Sequence, residues 1–295
     1  MTRFLQAVTD SLSTGSFYAL VALGIGLIFG VMRLVNLAYG EIISGSVFAA
    51  FLLRSQPTYV IIIGMLVAAL LISVLTERFA FRPLRTASPS TMLMASFAVS
   101  YTLQNFALAT VGSAPREVGA GSSLAVYIRV GSVHVTGYSI MTVVAVVIIV
   151  IALRLFLVRT AIGISMRAAS EDFECAKIVG VLANRVILTA FLISGVIATI
   201  IGYVLAAQTG SASPTLGAMP VLLGFTAVVL GGMGSLPAAA LGGLFLGALT
   251  VVLQILLPEN LQIFLNAFVF TAVLLLLMLR PQGLFIRKRS AEIRV

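Results

Sequence analysis

The sequence predicts an all-α polytopic membrane protein, and three observations carry that prediction. The composition is 60% hydrophobic and only 9% charged, with a mean hydropathy of +1.17. Soluble domains carry about 25% charged residues, so no soluble fold of 295 residues could hide this much apolar surface. The apolar runs mix Gly, Ala, Val, Ile and Leu without strict alternation, which favours helices over a β-barrel, whose strands alternate. Finally, most of the 18 Lys and Arg fall at Arg33 and within residues 78–85, 154–185 and 280–294. By the positive-inside rule that grouping marks the cytoplasmic face. The net charge of +9 is therefore a topology signal and no nucleic-acid footprint. A span needs roughly 20 apolar residues, so there is room for about eight or nine transmembrane helices. They are expected to form a single transmembrane domain over residues 1–295, embedded in the lipid bilayer.

The first apolar run covers residues 16–31. No small-x-small cleavage pattern precedes it, so it is read as a retained span. Gly26 and Gly30 have the G-x-x-x-G spacing that lets helix backbones approach closely. Arg33, Asn36, Tyr39, Gly40 and Glu41 follow, with almost no loop to hold them before a second apolar run ends at residue 53. Either this turn sits at the membrane surface, or a helix is broken within the bilayer and its ends line a cavity. A carboxylate at depth is expensive and points to function. Residues 60–75 make a third span, ended by a basic stretch where Pro83 and Pro89 stop the helix. Residues 91–111 return outward. Residues 112–138 form the main external segment, whose β-branched alternation predicts a small hairpin. His134, the one histidine, has no Cys or acidic neighbours and reads as a surface residue. Residues 139–156 lead back in.

Residues 159–185 are the long polar interruption of the second half; no charged residue occurs from 186 to 258. Such a segment belongs in water. Ser170 is expected to cap a short helix with Glu171 and Asp172 in its first turn. Arg167 and Glu171, and Glu174 and Lys177, have helical pair spacing. Phe173, Ala176 and Gly180 lie on another side, and Gly180 is a good helix stop. The segment is either a solvated loop helix or a helix that docks its small-residue face into a soluble partner.

Residues 186–207 form a span and residues 208–218 a Gly/Ser/Pro turn. Residues 220–230 are too short to cross fully. They lead into Gly231, Gly232, Gly234, Ser235 and Pro237, then an apolar run to residue 256, again like a broken or re-entrant element. After an external turn at residues 258–260, residues 261–279 form the last span, ended by Arg280 and Pro281. An odd number of crossings puts the N-terminus outside and the C-terminus inside. A faint internal repeat relates residues 36–51 to residues 231–249. Broken helices in matching halves point to a transport path between them. The candidate pathway residues are Asn36, Tyr39, Gly40, Glu41, Gly231, Gly232, Gly234 and Ser235.

No G-x-x-x-x-G-K-[ST] loop, no H-E-x-x-H, no paired Cys and no Ser/His/Asp set occurs. No run of buried carboxylates suits ion coupling. The chain reads as a transport subunit and no enzyme, with no metal or cofactor of its own, powered by a partner.

Two blocks extend this reading by resemblance. Ser16-Phe17-Tyr18-Ala19-Leu20 with Ala22 and Gly24, and Ile28 through Arg33, Asn36 and Glu41, resemble the permease subunits of branched-chain amino-acid ABC importers, LivH type. That family usually has N-x-A-H-G-[ED] there, and Tyr39 stands in place of His. Gly231 to Pro237 follows the family pattern too. Glu174-Cys175-Ala176-x-x-x-Gly180 is similar to the E-A-A-x-x-x-G loop that fits an ATPase groove, with Cys175 in place of the first Ala. The resemblance implies a second permease subunit, two cytoplasmic ATPases and an external or periplasmic substrate-binding protein, in the bacterial cytoplasmic membrane. It makes Arg167, Glu171, Asp172, Glu174, Cys175, Ala176 and Gly180 the ATPase-coupling residues. Relatives that move urea or short amides remain an alternative, as does a stand-alone channel or secondary carrier.

Overall fold

The computed structural model describes residues 2–84, 87–121, 124, 126–130 and 133–285. Arg85 and Ala125 lie outside the described residues, as do the side chains of Glu174 and Lys177. Helix α1 (Thr2–Met32) has 31 residues. At 1.5 Å per residue it is about 46 Å long, more than the ~30 Å hydrocarbon core. It is the mast of the molecule. α5 (Gly137–Arg159), α8 (Ala183–Thr209), α9 (Ala218–Gly231) and α10 (Leu236–Leu256) all pack against it. Ala19, Leu20, Val21 and Ala22 are wholly buried.

The tightest of these contacts is a seam of small residues. The Cβ position at Gly247 falls on the backbone of Gly15, and that at Gly243 on the backbone of Ala19. Without lipid-excluded water to drive association, helices in a bilayer cohere through such close packing. The expected Gly26–Gly30 pair behaves differently. A Cβ at Gly26 would reach only ordinary contact with Ala239, at 3.5 Å, and Gly30 faces open space. The glycines that bring α1 and α10 together are therefore Gly15, Gly243 and Gly247.

Two ends of the molecule follow from the connections. At one end the N-terminal turn of α1 meets the hairpin of β2 (Tyr127–Val130) and β3 (Val133–Thr136). The Gln6 amide donates to the His134 carbonyl at 3.1 Å and accepts from the His134 N–H at 3.0 Å. There too β1 (Arg116–Glu117) pairs antiparallel with β4 (Ser211–Ala212), joining the C-terminal ends of α4 (Pro89–Val111) and α8. The Arg116 guanidinium donates to the Val111 carbonyl at 3.0 Å, closing α4. At the other end lie the C-terminus of α1 with Arg33, the helices α6 (Ala161–Glu171) and α7 (Phe173–Ile178), and the Gly231–Ser235 break. The expected hairpin and spans are present. Residues 76–81 prolong α3 (Thr58–Leu75) as a π-helical turn, and α11 (Leu265–Leu279) follows a 3₁₀ turn, Glu259–Phe264.

Among the described residues seven helices are long and apolar enough to cross a membrane. Two more are apolar but short: α2 (Tyr39–Leu52) and α9, each of 14 residues. Each is about 21 Å long, two-thirds of a bilayer core. Both are preceded by non-helical chain, residues 33–38 and 213–217. These are the broken elements the sequence predicts.

Candidate functional site

The two half-helices begin at the same place. A Cβ at Gly40 would lie 3.0 Å from the Gly217 carbonyl oxygen, and one at Gly217 would overlap the Gly40 carbonyl. The Gly217 N–H donates to Ser44 Oγ at 2.9 Å. Only residues without side chains let two backbones meet so closely. The amino-terminal, partially positive ends of α2 and α9 thus face one another inside the bundle.

Polar groups gather around this meeting point. Asn36 Oδ1 accepts from the Ala38 N–H at 3.1 Å, while Asn36 Nδ2, buried with only 1% of the residue exposed, has no partner. A buried amide without an acceptor is costly and rare. Tyr39 is fully buried; its hydroxyl donates to the Ser194 carbonyl at 3.2 Å. Ser194 Oγ in turn donates to the Gly24 carbonyl at 2.9 Å. α2, α8 and α1 are therefore tied through one chain of hydrogen bonds. Gly24 is required there, because a Cβ would overlap the Tyr39 phenol. Glu41 is buried, and its Oε1 accepts from Ser100 Oγ of α4 at 3.1 Å.

The second set of expected pathway residues lies elsewhere. Gly231 ends α9, roughly 21 Å from the meeting point. Ser235 caps α10, accepting from the Ala238 N–H at 3.2 Å. Gly232 and Gly234 hold φ of +113° and +153°, a backbone that side chains rarely adopt. With Ser235, these two glycines line a cavity of about 1220 Å³ that also touches Gly26, Gly30 and Arg33. The structure therefore does not bring Gly231–Ser235 to Asn36–Glu41. Gly217, at the end of the predicted turn, is the residue that answers Gly40. Sequence comparison of the halves paired the wrong glycines because both α9 and the stretch after it are short and glycine-bounded.

The polar segment is two helices instead of one. Thr160, not Ser170, is the first cap, its Oγ1 accepting from the Gly163 N–H at 3.0 Å. Ser170 lies in the last turn of α6, where its Oγ donates to the Arg167 carbonyl at 2.7 Å. Asp172 sits in the break and caps α7, accepting from the Cys175 N–H at 2.9 Å. Arg167, Glu171, Asp172, Cys175 and Gly180 are exposed. Ala176 is buried in the molecule itself, at 5% exposure, and Phe173 lines a second cavity of about 500 Å³. Phe173 and Ala176 of the expected small-residue face therefore turn toward the molecule, while Gly180 does not. The side that faces out carries Ile178 and Val179, 86% and 84% exposed, just before Gly180 at φ +90°. Sequence reading passed over these two. Their signal was two adjacent β-branched apolar residues in a segment that must be solvated.

Residues 7–279 match the family described as the permease component of the branched-chain amino acid transport system. The chain is 31% identical to the high-affinity branched-chain amino acid permease LivH of Salmonella typhimurium, over 98% of each chain. It is 28% identical to BraD, the corresponding permease of Pseudomonas aeruginosa, over 99% of this chain and 98% of that one. The fructose import permease FrcC of Rhizobium meliloti is 34% identical over a shorter stretch, 39% of this chain and 33% of that one.

Proposed function

This chain belongs to the branched-chain amino-acid transport permease family, and from that membership we propose that it is the membrane-spanning subunit of an ABC importer. It passes branched-chain amino acids inward through the bacterial cytoplasmic membrane, while partner chains hydrolyse ATP. The end bearing Arg33, Arg154, Arg159, Arg167 and Arg185 is the cytoplasmic one. An ATPase subunit docks there on the α6–α7 segment. The observation that carries this is the exposed Ile178–Val179 pair at the tip of a solvated helix, because a partner's groove would remove that apolar surface from water. Arg167, Glu171, Asp172, Glu174, Cys175 and the exposed Gly180 border the contact; Ala176 supports it from within. A second permease subunit completes the membrane core, and a substrate-binding protein delivers the amino acid at the strand end.

The pathway passes the α2–α9 meeting point, with Asn36, Tyr39, Gly40 and Glu41 at mid-depth and Gly231, Gly232, Gly234 and Ser235 at the inner exit. Two facing half-helix ends around buried polar groups are the arrangement by which transporters handle a charged solute in lipid. Rigid-body movement of one half against the other opens the seam in turn to each side.

Reconstitution tests this. Proteoliposomes holding the chain with its second permease and ATPase partners, supplied with the substrate-binding protein, should take up leucine only with ATP in the cytoplasmic compartment, and leucine should outcompete urea and short amides. Uptake by the purified chain alone, without ATPases, would overturn the reading. Cys175, the one cysteine and an exposed one, should react with a membrane-impermeant maleimide in inside-out vesicles and be spared in intact cells.

A further inference from the structure

Arg33 is, among the described residues, the one non-glycine with a positive φ, +53°. It ends α1 in the left-handed conformation that usually falls to glycine. Something outside its own backbone must hold it there. Its guanidinium donates from Nη2 to the Ser170 carbonyl at 3.1 Å and to the Glu171 carbonyl at 3.0 Å. These are the last carbonyls of α6, which the helix leaves unsatisfied and where its dipole is negative. A cation donating there is the favoured partner. Arg33 and Glu171 also stand together in the wall shared by the two inner cavities, of about 1220 and 500 Å³.

The position in sequence gives this contact its consequence. Three residues beyond Arg33 is Asn36, with its unpartnered buried amide; six beyond is Tyr39, locked to Ser194. Residues 33–38 are non-helical chain with no hairpin or sheet to hold them. A shift of α6 therefore has a direct route to the start of α2, through the Arg33 guanidinium and six residues of chain. We propose that Arg33 is a positioning residue, a strut that carries displacement of the α6–α7 segment to the turn that opens α2. This rests on the reading of α6–α7 as the ATPase-docking segment.

The test separates the guanidinium from the backbone it strains. Arg33→Gly and Arg33→Asn both accept a left-handed φ, and both remove the strut; Arg33→Lys keeps charge with a single, shorter reach. Each variant is reconstituted with its second permease, ATPase and binding-protein partners, and ATP hydrolysis and leucine uptake are measured on the same vesicles. The Gly and Asn variants should assemble, melt no lower than the parent and hydrolyse ATP, yet the leucine moved per ATP should fall about tenfold, the scale of losing a charge-assisted hydrogen bond. Lys should restore part of that ratio. Unchanged leucine per ATP in the Gly variant overturns the proposal, and so does a loss of uptake that merely tracks a lower melting temperature. Failure of the unsubstituted chain to bind or stimulate an ATPase would sink the docking reading instead, a result distinct from either.

Discussion

Gly217→Ala is the sharpest probe of the seam on which the transport reading depends. A Cβ at this position would lie 2.7 Å from the Gly40 carbonyl carbon and 2.9 Å from Gly40 Cα, and would overlap the Gly40 carbonyl oxygen. All three are backbone atoms, so no rotamer change relieves the clash. The first turns of α2 and α9 must part by about an ångström to reach ordinary contact, and overpacking of that kind costs roughly 1–3 kcal/mol. Alanine also narrows the unfolded ensemble, which offsets about 0.4–1 kcal/mol. The net expectation is a loss of about 1–2 kcal/mol. Gly30→Ala is the matched control. It sits in a helix with nothing within 4 Å of the new methyl, so it should be neutral or stabilising by up to about 1 kcal/mol. The assay is thermal or denaturant unfolding of both purified variants in one detergent. The midpoint should fall by several degrees for Gly217→Ala, at about 2–4 °C per kcal/mol for a large domain. If Gly217→Ala unfolds at or above the midpoint of Gly30→Ala, the two half-helices do not meet as described.

Three further outcomes follow from the same geometry. Tyr39→Phe removes the side-chain donor that the Ser194 carbonyl has in addition to its helical one. It should cost about 1 kcal/mol of stability, read as a lower unfolding midpoint, while Ser194→Ala in the same background should add less than it does alone. Ile178→Asp or Val179→Asp should abolish ATPase co-purification from detergent extracts, with insertion of the chain into membranes unchanged, because the exposed apolar tip would become a buried charge in the complex. At Gly180, held at φ +90° in open space, substitution strains only the backbone. Gly180→Asn should therefore retain most substrate-stimulated ATP hydrolysis and Gly180→Val should lose it.

The spans were legible because a bilayer imposes one rule everywhere: about 20 apolar residues with internally satisfied backbone. The runs that became α1, α3, α4, α5, α8, α10 and α11 obey it, and the two that fall short became α2 and α9. The hairpin was legible from its alternation. The polar segment was legible as solvated, yet its division was not. Ser170 and Asp172 are equally good caps by residue type; which one caps depends on where α6 starts, and Thr160 starts it ten residues earlier. Likewise the inward side of α7 was invisible, since Phe173 is as plausible against a partner as facing Ile187 and Met92 across the second cavity, and Ala176 as plausible against a partner as buried in the molecule.

What the residues determined unaided was membrane residence, the basic face, the broken elements and the family, because each depends on local composition or on a contiguous motif. Only the tertiary structure decided that Gly40 meets Gly217, that α1 rides on Gly243 and Gly247, that Arg33 closes α6, and that Ile178 and Val179 face out. Those are pairings between distant segments, and in lipid, where every helix face is apolar, hydropathy carries no mark of which face turns toward which neighbour.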